Sequence, residues 1–394
     1  MHIDPALPVI VGTILAILLI GLAMRSIRQP QIVGYLVAGM LIGPHGLGVL
    51  EDPEMIGRLG GVGLIVLLFF IGMEASPHSL FSRWRLAIFG VVLQVAATVA
   101  VVWIIGARLG WTMSQVLLFG FVISLSSTAV VLKLLRDWNE LGTQTGQNVL
   151  VVLLAQDMAL VPMIIVTNLM GGERPGAGEL LAQLAGATVL IGIAAWVFTR
   201  EHVRLPFAKR LRADHELQVF SALLLCFGLA LVSGELGVST ALGAFVAGLV
   251  VSSAKETDWV QDSLEPFRVV FVAVFFVSVG MLIDLDYVRD NLALLAVLVV
   301  AIVLLNTLLN AAILRLLGSS WRRAAYAGAL LSQIGEFSFI LAALAHTARI
   351  VPDEDYRMII ALIAITLLLS PAWIGVCKAL LGHPEGRPDQ PRRA

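Results

Sequence analysis

Apolar runs about 20 residues long follow one another along almost the whole chain, separated by short charged or Gly/Pro-rich breaks. A helix needs about 20 such residues to cross the hydrocarbon of a bilayer. Backbone in that layer must satisfy its own hydrogen bonds, so the pattern restricts the chain to a bundle of membrane-spanning helices. Strands of a transmembrane β-barrel would alternate in segments of about 10 residues, which these runs do not. Composition agrees: 59% of the residues are hydrophobic and 13% are charged, against about 25% charged in soluble domains. A soluble enzyme and a nucleic-acid binder are excluded. Cys226 and Cys377 lie in separate apolar runs, which argues against a disulfide framework or a cysteine metal site.

Thirteen candidate spans begin near residues 6, 31, 58, 85, 113, 145, 178, 215, 238, 265, 290, 323 and 355. At about 22 residues each they use roughly 286 residues, which leaves loops of about eight residues and no room for a soluble domain. A regulatory globule is therefore expected on a separate cytosolic subunit. Met1 to Pro8 lacks a basic n-region, so the first run is expected to stay as span 1 rather than be cleaved.

Lysine and arginine test the count, because cytoplasmic segments carry them in excess. With the N-terminus outside, the inside segments hold 20 of the 26, including Arg25, Arg83, Lys133, Arg268, Arg323 and the stretch Arg200 to Arg212. The outside segments hold 6: Arg58, Arg108, Arg174, Arg289, Arg349 and Arg357. The expected topology is N-terminus out and C-terminus cytoplasmic. The basic stretch reads as an ordinary cytoplasmic loop.

If spans 1 to 6 repeat as 8 to 13, the offset of seven is odd, and the halves are inverted relative to each other. Such transporters bind substrate on discontinuous helices in matching positions of the two halves. Span 5 contains Ser124-Leu125-Ser126-Ser127-Thr128, and span 12, its counterpart, contains Ser332-Gln333-Ile334-Gly335-Glu336. Each is a polar interruption within an apolar span. The fold class expected is thus all-α integral membrane, with thirteen helices, two inverted six-helix repeats and breaks in spans 5 and 12.

Ionisable groups deep in a bilayer are costly and point to function. Asp157 sits about midway along span 6, with no basic residue within a turn. Burial disfavours its charged form and an incoming cation restores it, so one carboxylate can hold a proton or a cation but not both. Ser126, Ser127 and Thr128 offer hydroxyl or backbone oxygens to a hard monovalent cation, or alternatively pack helices. Glu336, at the second break, is assigned to satisfying freed backbone amides. Asn306 and Asn310, one turn apart on span 11, suit interhelical hydrogen bonding, and the histidines, His346 among them, show no ligand spacing. Gly60-Gly61-Val62-Gly63 reads as close packing, since no strand precedes it.

Several stretches carry a resemblance. They are Gly34-Tyr35-Leu36-Val37-Ala38-Gly39 with Gly43-Pro44; Phe70-Ile71-Gly72-Met73-Glu74; Ser126-Ser127-Thr128-Ala129; Gln156-Asp157; and Ala241-Leu242-Gly243-Ala244-Phe245 with Ala247-Gly248. Glu265-Pro266-Phe267, Ser278-Val279-Gly280-Met281 and Gly335-Glu336-Phe337 follow in family order. The chain resembles the membrane domain of the monovalent cation:proton antiporter-2 family, and within it the Kef-type potassium efflux antiporters.

The resemblance implies a homodimer in a bacterial-type inner membrane, with scaffold helices holding mobile core bundles and spans 5 and 12 crossing at unwound centres. It makes Asp157 the ion-binding aspartate and Gln156 the potassium-type neighbour, an added oxygen ligand where sodium-type members carry a second acid. Gln333, Gly335, Glu336 and Asn306 support the site. Asn306 stands where many relatives have a basic residue, which agrees with electroneutral exchange. The implied division is scaffold 1–83, core 84–171, linker 172–213, scaffold 214–286, core 287–381 and a short tail 382–394. Because Kef-type proteins append a nucleotide-binding domain and this sequence runs only to Ala394, glutathione gating is not carried over. The function expected is potassium/proton antiport by elevator-type alternating access, with sodium/proton antiport as the alternative. No cofactor is expected beside the transported ions. A channel would need an open pore, and an aspartyl intramembrane protease would need a second aspartate at depth.

Overall fold

Apolar length and capping residues together set the helices of this computed structural model. It describes residues 6–26, 29, 31–74, 83–171, 215–236, 240–252 and 258–381, with short pieces between 185 and 193. Span 7, apart from those pieces, the stretch Arg200 to Arg212 and the tail from Gly382 lie outside the described residues.

The helices are α1 (Ala6–Ser26), α2 (Gln31–Ile42), α3 (Pro53–Glu74), α4 (Trp84–Leu109), α5 (Met113–Ser124), α6 (Thr128–Asp137), α7 (Gln144–Met170) and α8 (His215–Glu235). They continue as α9 (Thr240–Ser252), α10 (Asp258–Met281), α11 (Leu285–Asp290), α12 (Leu292–Leu316), α13 (Trp321–Leu330), α14 (Ser338–Thr347) and α15 (Asp353–Leu381). Among the described residues there is no strand. Eight segments among these residues are long and apolar enough to cross a membrane, and four shorter apolar helices accompany them.

Local chemistry moves some boundaries from where the runs put them. α3 starts at Pro53 rather than near 58 because Asp52 Oδ1 accepts the Glu54 N–H at 2.9 Å, and proline suits a first helical position. α10 starts at Asp258, so Pro266 lies inside it rather than opening it. A proline there removes one helix donor. The short α11, capped by Asp284, precedes the span expected from residue 290. Thr112 and Gln115 form a reciprocal capping box that opens α5, and Gly110, at φ 73°, ends α4 in the left-handed region where glycine is favoured.

Two groups of helices result. α1, α2, α3, α8, α9 and α10 pack on one another, while α4, α5, α7, α12, α13, α14 and α15 form the second group with α6 lying on α7 and α15. Close backbone contact fastens the first group at two crossings. A Cβ on Gly39 of α2 would lie 2.0 Å from Val277 O of α10, and one on Gly248 of α9 would lie 2.0 Å from Phe69 O of α3. Only glycine permits this approach, as small residues do in membrane helix pairs generally. Of the Gly60-Gly61-Val62-Gly63 run, only Gly63 is in tight contact, where a Cβ would lie 2.9 Å from Phe275 N; Gly60 makes an ordinary contact and Gly61 has no neighbour within 4 Å.

Candidate functional site

Serines at 124, 126 and 127 favour local side-chain bonds over helix, and the chain is extended at Leu125 and Ser127 between α5 and α6. A second interruption, residues 331–337, separates α13 from α14. The two touch: Gly335 N–H donates to Leu125 O at 2.7 Å, and a Cβ on Gly335 would lie 2.5 Å from Ser126 O.

Carbonyls at the end of a helix have no partner within it. Here each from Phe121 to Leu125 finds a specific donor. Ser124 Oγ donates to Phe121 O (2.9 Å), Ser338 Oγ to Val122 O (2.7 Å), and Asn306 Nδ2 to Ile123 O (2.9 Å). Gln94 Nε2 donates to Ser124 O (2.8 Å), and Gln156 Nε2 reaches the same oxygen (3.2 Å). At the second break, Asn306 also donates to Ser332 O (3.2 Å), and Ser126 Oγ donates to Leu331 O (3.0 Å). Asn306 thus bridges both interruptions from α12. Gln333 Nε2 reaches Ser127 O at 3.5 Å.

Gln156 is 1% exposed. Its Oε1 accepts the Ser126 N–H at 3.1 Å and its Nε2 donates to Gln94 Oε1 at 2.6 Å. The expected ligand oxygen therefore faces the break, and Gln156 is absent from the cavity wall where Asp157 lies. Adjacent positions on a helix point about 100° apart, which separates these two side chains. Gln94→Leu should remove two hydrogen bonds, at about 1 kcal/mol each, and leave Ser124 O and the Gln156 amide only their 3.2 Å contact with each other. A lowered thermal midpoint in detergent, with the helix content kept, checks this.

Asp157, Thr128 and Glu336 line a cavity of about 200 Å³ between the two helix groups. Thr128 Oγ1 donates to the Asp157 carboxylate, 3.0 Å from Oδ2 and 3.2 Å from Oδ1. Glu336, 4% exposed, accepts the Ala129 N–H on Oε1 at 3.3 Å, while its Oε2 lies within hydrogen-bonding geometry of no donor among the described residues. Ser127, which caps α6 by accepting the Val130 N–H, lies beside that carboxylate. Both acids therefore gather at the positive N-terminal end of α6. From the opposite group, Ile71 of α3, Phe245 of α9 and Arg268 of α10 complete the wall.

Asp157, Thr128 and Glu336 are thus brought together at the cavity. Ser126, Gln156, Asn306 and Gln333 hold the breaks instead. Gln94, Ser338 and Arg268 were not anticipated. Gln94 and Ser338 are ordinary polar residues within apolar runs. Arg268 reads as a loop charge unless Pro266 is placed inside its helix.

Comparison with known proteins follows the same lines. The family profile for the transmembrane sodium/hydrogen exchanger matches residues 12–377. The iron transporter MagA of Paramagnetospirillum magneticum is 34% identical over 91% of this chain and 83% of its own length. The putative cation/proton antiporter YbaL of Escherichia coli is 31% identical, covering 99% and 71%. The glutathione-regulated potassium-efflux protein KefC of Escherichia coli is 30% identical over 93% of this chain, which spans 59% of KefC. In fold, the chain is similar to the sodium proton antiporter MjNhaP1 of Methanocaldococcus jannaschii: TM-score 0.68, 17% identity, covering 96% of this chain and all of that one. The chain is a multi-pass membrane transporter, not an enzyme, and belongs to the sodium/hydrogen exchanger family of cation/proton antiporters, in the antiporter-2 branch that its motifs resemble.

Proposed function

We propose that the protein exchanges potassium for protons, one for one, by alternating access of the Asp157 cavity. One observation carries this: a carboxylate held by the Thr128 hydroxyl at a helix break, in a cavity between two separately packed helix groups. A single carboxylate that trades a proton for a monovalent cation moves no net charge. Glutamine at 156 and KefC's name favour potassium. MagA's name raises iron, yet among the described residues no group of three His, Cys, Asp or Glu gathers to hold a transition metal.

The proposal includes thirteen spans, with α5–α6 and α13–α14 each forming one discontinuous span. Their contact at Gly335 suits crossed helices. An inverted repeat is supported by paired motifs: Val37-Ala38-Gly39-Met40 against Val246-Ala247-Gly248-Leu249, and Ile71-Gly72-Met73 against Val279-Gly280-Met281. Under an offset of seven spans, the α2–α10 crossing maps onto the α9–α3 crossing, and each contains these glycines. The second helix group is the mobile core, the first the dimer scaffold. The N-terminus is outside and the membrane is a bacterial inner membrane. No cofactor takes part. A separate cytosolic regulator and a homodimer complete the assembly. Ile32 at the start of α2 and Arg268 in the first half of α10 line the cavity, which suits an inward-facing state.

The test is proton flux from proteoliposomes on adding potassium, sodium or iron(II), with imposed voltage as a control. Potassium-evoked, voltage-insensitive flux is expected. Sodium-selective flux would overturn the choice of ion, iron-evoked flux would overturn both ion and charge balance, and currents without saturation would indicate a channel.

Arg268, whose Nη1 lies 3.6 Å from Glu265 Oε2, brings like charge to the wall of the cation's cavity. Arg268→Gln should therefore lower the potassium concentration for half-maximal flux, by up to about fivefold for an effect of about 1 kcal/mol in a wet cavity. An unchanged half-maximal concentration would show that the guanidinium does not sense the ion.

A further inference from the structure

A second cavity, separate from the Asp157 site, opens where α4, α7 and α13 begin and α12 ends. It has a volume of about 720 Å³. Among the described residues its wall contributes three guanidiniums, from Arg83, Arg85 and Arg323, and no carboxylate. Gln144 and Asn148 add neutral amides. The amides position two of the arginines: Arg83 Nη1 donates to Asn148 Oδ1, and Arg323 Nη1 donates to Gln144 Oε1 at 2.6 Å. Guanidiniums fixed in this way keep the planar donor fork that matches phosphate oxygens.

Two further observations point the same way. Neither Arg83 nor Ser320, the residues preceding α4 and α13, makes a side-chain capping bond, so the positive ends of both helices lack side-chain caps. Two exposed tryptophans flank the cavity, Trp84 at 47% and Trp321 at 66%, with Arg85 and Arg315 over their rings at 5.5 and 5.6 Å. Exposed tryptophans with arginines mark the depth of lipid headgroups.

We propose that this basin binds a phosphate-bearing anion, and that the headgroup of an anionic phospholipid supplies it. By bridging Arg83 and Arg85 before and within α4 to Arg323 of α13, the phosphate ties together two helices that both pack on α7, the helix of Asp157. The ligand chemistry is phosphate in either source, lipid or soluble, and the headgroup depth favours lipid.

The test uses the purified full chain in neutral detergent. Thermal midpoints are recorded with phosphatidylglycerol, with phosphatidylcholine, with inorganic phosphate, and with chloride at equal ionic strength. Phosphatidylglycerol should raise the midpoint by several degrees in a saturable manner while phosphatidylcholine and chloride do not. Stabilisation by inorganic phosphate as well would assign the site to soluble anions, with the phosphate chemistry upheld. Arg85→Gln, which leaves the two amide-held arginines in place, should weaken the apparent affinity by about tenfold, the worth of one charged hydrogen bond. Arg85→Lys should keep part of it. Equal midpoints with phosphatidylglycerol and phosphatidylcholine in the wild type would overturn the proposal. An unchanged affinity in Arg85→Gln would do so too. The wild-type comparison stands even where a variant fails to fold.

Discussion

Asp157→Asn should reduce cation-evoked proton flux to the leak of protein-free vesicles while the protein stays folded. The side chain keeps its shape and its acceptor for the Thr128 hydroxyl, which lies 3.0 Å from one carboxylate oxygen and 3.2 Å from the other. What it loses is the negative charge that a proton or a cation neutralises in turn. An uncharged amide at that depth also costs less to bury than a carboxylate. A thermal midpoint equal to or above that of the wild type is therefore expected beside the lost flux. Measured flux through the variant at half the wild-type rate would remove Asp157 from the transport step.

Gly335→Val should both destabilise the protein and stop exchange. A Cβ at this position would sit 2.5 Å from Ser126 O and 2.6 Å from Ser126 C, both main-chain atoms of the first break. They cannot rotate away as a side chain does. Forcing the breaks apart also stretches the Gly335 to Leu125 hydrogen bond of 2.7 Å. Overpacking costs about 1–3 kcal/mol, and the lost bond about 1 kcal/mol more. The expected result is a lower midpoint in a fluorescence-monitored melt and flux near the vesicle leak, with Gly335→Ala intermediate. Normal flux in Gly335→Val would show that contact between the breaks is dispensable.

The all-helical membrane fold and both interruptions were legible because apolar run length and serine or glycine placement act locally. Asp157 was legible for the same reason, as an acid isolated in an apolar run. The use of Gln156 was not. Its oxygen accepts the Ser126 N–H and its amide meets Gln94, a residue 62 positions earlier. Only the tertiary fold shows that the carbonyls of α5 need those donors. Asn306 was expected to make interhelical hydrogen bonds in support of the site, but that its two acceptors, Ile123 O and Ser332 O, lie one in each half of the crossing shows only in the tertiary fold. The paired motifs around Gly39 and Gly248 were open to inspection in the sequence, but short runs of small residues gain meaning only when each meets a backbone carbonyl at a crossing.

Proton release on cation binding tests the central claim most directly. Purified protein in detergent and weak buffer is given potassium chloride, with choline chloride as the control, and released protons are read from a pH-sensitive dye. Competition at one carboxylate predicts about one proton per protomer when the site begins protonated, and none from Asp157→Asn. Potassium binding without proton release, or equal release from the variant, would contradict it.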